Sequence, residues 1–157
     1  MIGRLYGRQV CAIDHRQEEL DEVPEGFEKR CMDARNLQLE DTSFDHVTFF
    51  YSLMYMDAVT QQRALREVFR VLRPGGRLHL WDAVIEKADP FIVHLDIDIA
   101  GSPLSVDYGV YREEAAQNAE LVAERCRQAG FHLVMTAEQD GQFCQQYIKG
   151  KDGIVMQ

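Results

Sequence analysis

The chain contains no Cys-x-x-Cys pair, no closely spaced histidines, no basic run, and no apolar stretch near the roughly 20 residues that cross a bilayer. Each absence removes a class of function. With 17 Lys and Arg against 26 Asp and Glu, the formal net charge is −9. So acidic a surface repels phosphate backbones and anionic headgroups, which excludes nucleic acid and membrane as first partners. Cys11, Cys31, Cys126 and Cys144 lie far apart, read as small buried hydrophobes rather than metal ligands, and no metal is assigned. Unpaired cysteines with no secretory leader read ahead of them set the expectation of a reducing cytoplasm. Ser52 has neither a Gly-x-Ser-x-Gly setting nor a visible base partner, which argues against a hydrolase triad. His15, His46, His79, His94 and His132 are scattered and read as packed or surface side chains rather than general bases.

What is present is the material of one domain. At 157 residues and 46% hydrophobic composition, the chain can bury roughly two thirds of its unfolded surface around a single core. Residues 9–13 form a short apolar run that ends at Asp14, and 17–23 have weak helical periodicity before Pro24 and Gly26 interrupt it. A second strand is predicted over 27–32 and a third over 46–52, whose nearly continuous apolar character suits a strand covered on both faces. A helix over 59–72 and a strand over 77–81 complete a β-α-β-β-α-β alternation. The class is therefore α/β, a Rossmann-like, mostly parallel sheet flanked by helices with right-handed crossovers.

After Asp82 the hydrophobic period shortens to strict alternation, so residues 91–111 read as an antiparallel hairpin insert turning at Ala100-Gly101-Ser102-Pro103. Asp96 and Asp98 fall on its outer face. A helix is predicted from Glu113 and Glu114 to a cap at Gly130, with Ala115, Ala119, Val122, Ala123 and Cys126 as its apolar stripe. Strands over 131–136 and 143–148, joined through Asp140-Gly141, close the chain as a second antiparallel hairpin. Residues 1–150 form one domain, and 151–157 are a polar tail.

Two stretches carry more than fold class. Leu65, Val68, Phe69 and Leu72 recur at i, i+3, i+4 and i+7, Pro74 stops the helix, Gly75-Gly76 permits a reversal at positive φ, and Arg77 to Trp81 follows as a strand. That helix, turn and strand resemble the segment before the fifth strand of class I S-adenosylmethionine-dependent methyltransferases, in the branch that includes the ubiquinone and menaquinone biosynthesis enzymes. Cys31-Met32-Asp33-Ala34-Arg35-Asn36-Leu37, then Asp41-Thr42-Ser43-Phe44-Asp45, is similar to that family's Gly-Asp-Ala, short loop and Ser-Phe-Asp. The resemblance covers nearly all of residues 8–149. It implies S-adenosylmethionine as cofactor and a small-molecule acceptor.

The residues themselves offer two readings of Asp14 at the end of the first strand: a helix N-cap or solvated turn residue, or an acceptor for both ribose hydroxyls of a nucleoside. The resemblance favours the second. It implies cofactor contacts at Asp14 and His15, adenine contacts at Asp33 and Ala34, and a stretch beside the methionine part at Tyr51, Ser52 and Leu53. It places Tyr55 and Met56 toward the substrate and assigns no catalytic side chain, since transfer from a sulfonium is largely a matter of alignment. Aromatic rings there suit a sulfonium cation, although core packing is the bland alternative for Phe49, Phe50 and Tyr51.

Family members begin with a strand and a Gly-x-Gly-x-Gly loop that approaches the cofactor's methionine end, and this chain contains no such segment. It reads as N-terminally truncated relative to the family, with the middle strand of the sheet vacant. Three arrangements follow: a piece of a longer protein, direct pairing of the strands on either side, or a strand donated by another chain. Cofactor binding is then expected to be weak or absent. The rival to the enzyme reading is a non-catalytic binding or dimerisation module, in which the hairpin insert is the contact surface of a homodimer. In the enzyme reading that same hairpin, through its tip, is a partial lid.

Overall fold

The computed structural model describes residues 9–86, 91–99, 101–110 and 116–150. In chain order these form β1 (Cys11–Asp14), α1 (Gln17–Glu22), β2 (Glu28–Cys31), β3 (Phe44–Phe50), a single 3-10 turn (Leu53–Tyr55), α2 (Ala58–Val71) and β4 (Leu72–Ala83). There follow β5 (Phe91–Ile99), β6 (Ser102–Val110), α3 (Ala119–Gln128), β7 (Phe131–Gln139) and β8 (Gln142–Lys149). A four-stranded mixed sheet runs β3-β4-β8-β7, parallel between β3 and β4 and antiparallel in its other two ladders. β1 and β2 pair in parallel, with Asp14 opposite Cys31, and β5 and β6 form the expected antiparallel hairpin.

Helix α2 starts where the Asp57 carboxylate accepts from the Thr60 amide at 2.7 Å, and α3 starts where Asn118 does the same for Leu121 at 2.8 Å. Ala64, Leu65 and Val68 of α2 and Val122 and Cys126 of α3 are buried against Leu78 and Leu80 of β4 and Phe143 and Tyr147 of β8. Both helices thus lie on one face of the sheet. The C-terminal carbonyls of α2 are closed by Lys149, whose Nζ donates to Phe69 O at 2.7 Å and Leu72 O at 2.8 Å. A buried cation at that end complements the helix dipole. Arg70 and Glu67 on the same helix hold the loop after β2: Arg70 donates to the carbonyls of Leu37 and Leu39, and Glu67 accepts from the Leu37 amide.

Several expectations are corrected. The third strand is not covered on both faces, because His46, Thr48 and Phe50 are exposed. β4 begins at Leu72 rather than Arg77: Leu72 already pairs with Phe44, and a register shift between Phe44 and His46 absorbs Pro74 and the glycines. Only Gly75 is left-handed, at φ 82; a Cβ on Gly76 would lie 2.8 Å from Arg73 O, so close approach is what that position needs. α3 starts at Ala119, because Gln117 bridges to Ile85 through two backbone hydrogen bonds of 2.8 and 3.0 Å. Glu113, Glu114 and Ala115 lie outside the described residues, as does the tail 151–157. Cys126 is buried as expected, whereas Cys31, at the end of β2, is exposed. Among the described residues β1 and β3 are not paired, so direct closure of the vacant position is not what this fold adopts.

Asp140 at φ 51 and Gly141 at φ 73 make the tight two-residue turn between β7 and β8, whose doubly positive φ matches the twist of a hairpin. Gly130, at φ 103, ends α3 where a Cβ would fall 2.9 Å from Phe69 Cε2. Gly130→Ala is therefore expected to lower stability by about 1–3 kcal/mol, through a left-handed backbone and a forced shift of Phe69. Urea unfolding checks this through a fall in midpoint at unchanged slope.

Candidate functional site

The loops that follow β1, β2 and β3 converge. Tyr55, after β3, senses the charges of Arg16 and Glu19, just after β1, and Arg35, after β2, senses Asp57. In open α/β sheets such a convergence at strand carboxyl ends is where ligands lie.

Asp14 closes its own turn, its Oδ1 accepting from the Arg16 amide at 2.8 Å with His15 Nδ1 at 3.3 Å. Its carbonyl accepts from Met32 N at 2.9 Å, which sets Asp33 beside it on the neighbouring strand. His15 is close enough to lower the Asp33 pKa. Arg35 dominates that carboxylate, however, with Nε at 3.0 and 2.9 Å from its two oxygens and Nη2 at 2.5 Å. These bonds, with the Arg35 amide at 2.8 Å, hold Asp33 down at about 2. The pair is 48% and 43% exposed, so its contribution to stability is small. Ala34, next along, is half-buried against the main core.

The stretch 51–56 is built differently. Tyr51 is buried at a left-handed φ of 46, donates its hydroxyl to Gln142 Oε1, and its amide to Trp81 O at 2.8 Å. Its ring packs in a small apolar group with Met54, Ala83 and Ile85. A non-glycine residue held there costs of order 1–3 kcal/mol, tolerated where the surroundings over-determine it. Ser52 is half-buried, Leu53 places its side chain wholly in the main core, and Met56 packs partly against that core. Tyr55 is 45% exposed, and its hydroxyl accepts from Gly109 N of the hairpin at 3.2 Å. The structure thus gathers Asp14, His15, Asp33 and Ala34 in one cluster and residues 51–56 in the next.

A third cluster went unnoticed in the sequence. Asp82, at the end of β4, is fully buried, with Oδ2 accepting from Leu53 N at 2.9 Å and Oδ1 from Ala83 N at 2.9 Å and Gln117 Nε2 at 2.7 Å. Gln117 Oε1 accepts from Gln61 Nε2 at 3.0 Å, and Gln61 Oε1 from Arg125 at 2.7 Å. Gln61 also donates to the carbonyls of Leu53, at 2.9 Å, and Met56, at 3.2 Å. Burial pushes the Asp82 carboxyl up to about 6, against the pull of the amides that donate to it. The available signal was a polar residue, Gln61, within the apolar stripe of a helix, and an acid ending an apolar strand.

The methyltransferase-domain family matches residues 2–80, just over half of the chain. The chain belongs to this family. Over 148 residues the chain is 30% identical to the ubiquinone/menaquinone biosynthesis C-methyltransferase UbiE of Desulfotalea psychrophila, covering 83% of this chain and 59% of that protein. Over 142 residues it is 31% identical to the O-methyltransferase cnsE of Penicillium expansum, covering 85% and 47%. The chain therefore spans about half to three fifths of the length of these two relatives. Among solved structures, a S-adenosylmethionine-dependent methyltransferase of Methanosarcina mazei matches with a TM-score of 0.63 at 17% identity, covering 91% of this chain and 82% of that one. The [4+2]-cyclase SpnF matches with a TM-score of 0.68 at 18% identity, covering 96% and 69%. At such identities these two establish the Rossmann-like fold alone.

Asp82 gives the chain a distinctive pH response. Its folded pKa of about 6 lies above the ordinary carboxylate value, so its contribution is full below about pH 4 and is lost as pH rises through about 6, by about 3 kcal/mol. Asp33, Asp45, Glu67 and Glu124 are held below their ordinary values by arginine partners and act in the opposite sense. The difference between wild type and Asp82→Asn in urea midpoint, followed from pH 4 to 7, isolates the Asp82 component. A difference that is flat with pH contradicts it.

Proposed function

We propose that this methyltransferase binds S-adenosylmethionine across the carboxyl ends of β1, β2 and β3 and transfers its methyl group to a small-molecule acceptor in the cytoplasm. The adjacency of Asp14 and Asp33 carries this reading. Two carboxylates on neighbouring strand ends match the donors of an adenosine: the ribose diol for Asp14 and the adenine amino group for Asp33, with Ala34 beside the ring. The donor set fits the nucleoside end. When bound, the cofactor supplies an electrophilic methyl on a sulfonium, and the chain's own work is to orient and exclude water. His15 flanks the ribose side, Tyr51, Ser52 and Leu53 line the methionine side, and Tyr55 with Met56 face the acceptor. The half-exposed Tyr55 ring suits a cation, an attraction of about 0.5 to 2 kcal/mol.

The methionine end lacks its glycine loop within these 157 residues. Losing about three hydrogen bonds at 0.5 to 1.5 kcal/mol each weakens binding by about 1.5 to 4.5 kcal/mol, or about ten- to two-thousand-fold. A second reading is a methyltransferase-like binding or dimerisation module with the hairpin as its contact surface, which the exposed apolar side chains Ile92 and Leu104 of that hairpin favour. No helix among the described residues is long and apolar enough to cross a membrane.

Titration of the chain with S-adenosylhomocysteine, followed by calorimetry or amide shifts, separates the two readings. The expected dissociation constant lies between about 10 μM and 2 mM, and Asp14→Ala weakens it by a further tenfold or more, since a bond to a charged acceptor is worth about 1.5 to 3 kcal/mol. Micromolar binding contradicts the impairment, and indifference to Asp14→Ala contradicts the site. No binding at all, with a dimer in light scattering, supports the module.

A further inference from the structure

Leu53 is held from both sides of its peptide plane. Its amide donates to Asp82 at 2.9 Å, and its carbonyl accepts from Gln61 at 2.9 Å. Both partners are buried side chains, 0% and 3% exposed, on different elements of the sheet-and-helix core. Gln117 joins them, contacting Asp82 through its Nε2 and Gln61 through its Oε1, while its backbone bridges to Ile85. Ile85 and Gln117 lie just outside the two ends of the hairpin insert. Two residues on from Leu53, the Tyr55 hydroxyl receives the Gly109 amide of β6. The Tyr55 phenol has its pKa raised, by burial first and by the Asp82 carboxylate among the other causes, so the two groups sense each other.

We infer that Asp82 is a positioning residue: its carboxylate holds the 51–56 turn in place and, through Tyr55, anchors the β5–β6 hairpin above the carboxyl-end site. The described partners of the carboxylate are all N–H donors, from Leu53, Met54, Ala83 and Gln117, an arrangement that only an acceptor can satisfy. The turn therefore cannot move without exposing a buried carboxylate or leaving these donors unpaired. Its functional meaning rests on the reading of 51–56 as the methyl-transfer face; the mechanical coupling does not.

Amide hydrogen exchange on the full chain, without cofactor, tests the coupling. In Tyr55→Phe the Gly109 amide is expected to exchange about tenfold faster while the Leu53 amide is unchanged. In Asp82→Asn both accelerate about tenfold, more than the amide of Leu65 in the middle of α2. Should Asp82→Asn fail to fold, the wild type supplies the same information. A turn that opens lets Asp82 ionise in water, so opening of Leu53 and Gly109, corrected for intrinsic rates, rises together between about pH 4 and 6 and then levels. Of the groups facing this site among the described residues, the Tyr55 phenol, Arg16 and Arg125 keep their charge over that range, and repeating the series in Glu19→Gln removes the Glu19 carboxylate beside Tyr55 as a cause. Acceleration of Leu53 in Asp82→Asn with Gly109 within twofold of wild type overturns the inference, as do independent pH responses of the two amides. Because no cofactor is present, this failure is distinct from a failure of S-adenosylhomocysteine to bind.

Discussion

Strand β4 is bonded on both sides, in parallel to β3 and antiparallel to β8, and it presents Leu78 and Leu80 to the two helices that cover the sheet. Everything else is placed by that burial. Leu65 and Val68 of α2, and Val122 and Cys126 of α3, bury their apolar stripes in the core that this strand shares with Phe49 of β3, Phe131 of β7 and Phe143 and Tyr147 of β8. Because the same strand carries Asp82 next to its last residue, the apolar core and the polar cluster at the carboxyl end are two stretches of one element. A strand this constrained delivers the side chains of its end to a defined place, which is what makes a buried carboxylate there tolerable.

The polar cluster follows a different physics from the core. Burying a carboxylate is costly unless its lone pairs are met, and here backbone amides and a glutamine meet them, with a second glutamine and Arg125 completing the chain of bonds. No buried side-chain polar atom among the described residues lacks a partner. Such a network stabilises little in net terms and specifies much, since each member admits few other orientations. The two acids at the ends of β1 and β2 are the reverse. Asp14 and Asp33 are exposed enough to be solvated, and their neighbours Arg16, His15 and Arg35 orient them without burying them.

Much of this was legible in the residues. Periodicity located the three α-helices and eight strands of the described residues, most of them to within about three positions, because amphipathic stripes and alternation are local consequences of which faces are buried. Asp14 and Asp33 could be singled out since each stands at a strand end, and the tertiary structure sets them side by side. Local pattern failed where a distant partner decided the outcome. The delayed start of α3 depends on a bridge between Gln117 and Ile85, 32 positions apart in the sequence, and the early start of β4 depends on Phe44 reaching Leu72. The exposed face of β3 could not be foreseen, because an apolar run states a preference for cover and says nothing about whether cover exists.

The residues alone determined the α/β class, the family, the acidic surface and the absence of a glycine-rich loop, all properties of composition and short-range order. The tertiary structure decided which polar groups share a site. Asp82, Gln117 and Gln61 are unremarkable in sequence, and they become a unit only when β4, the segment before α3, and α2 are packed within hydrogen-bond reach. Hydrogen bonds act over about 3 Å and ignore sequence distance. For that reason the position of the 51–56 turn, and of the hairpin tied to it, is a property of the packed molecule.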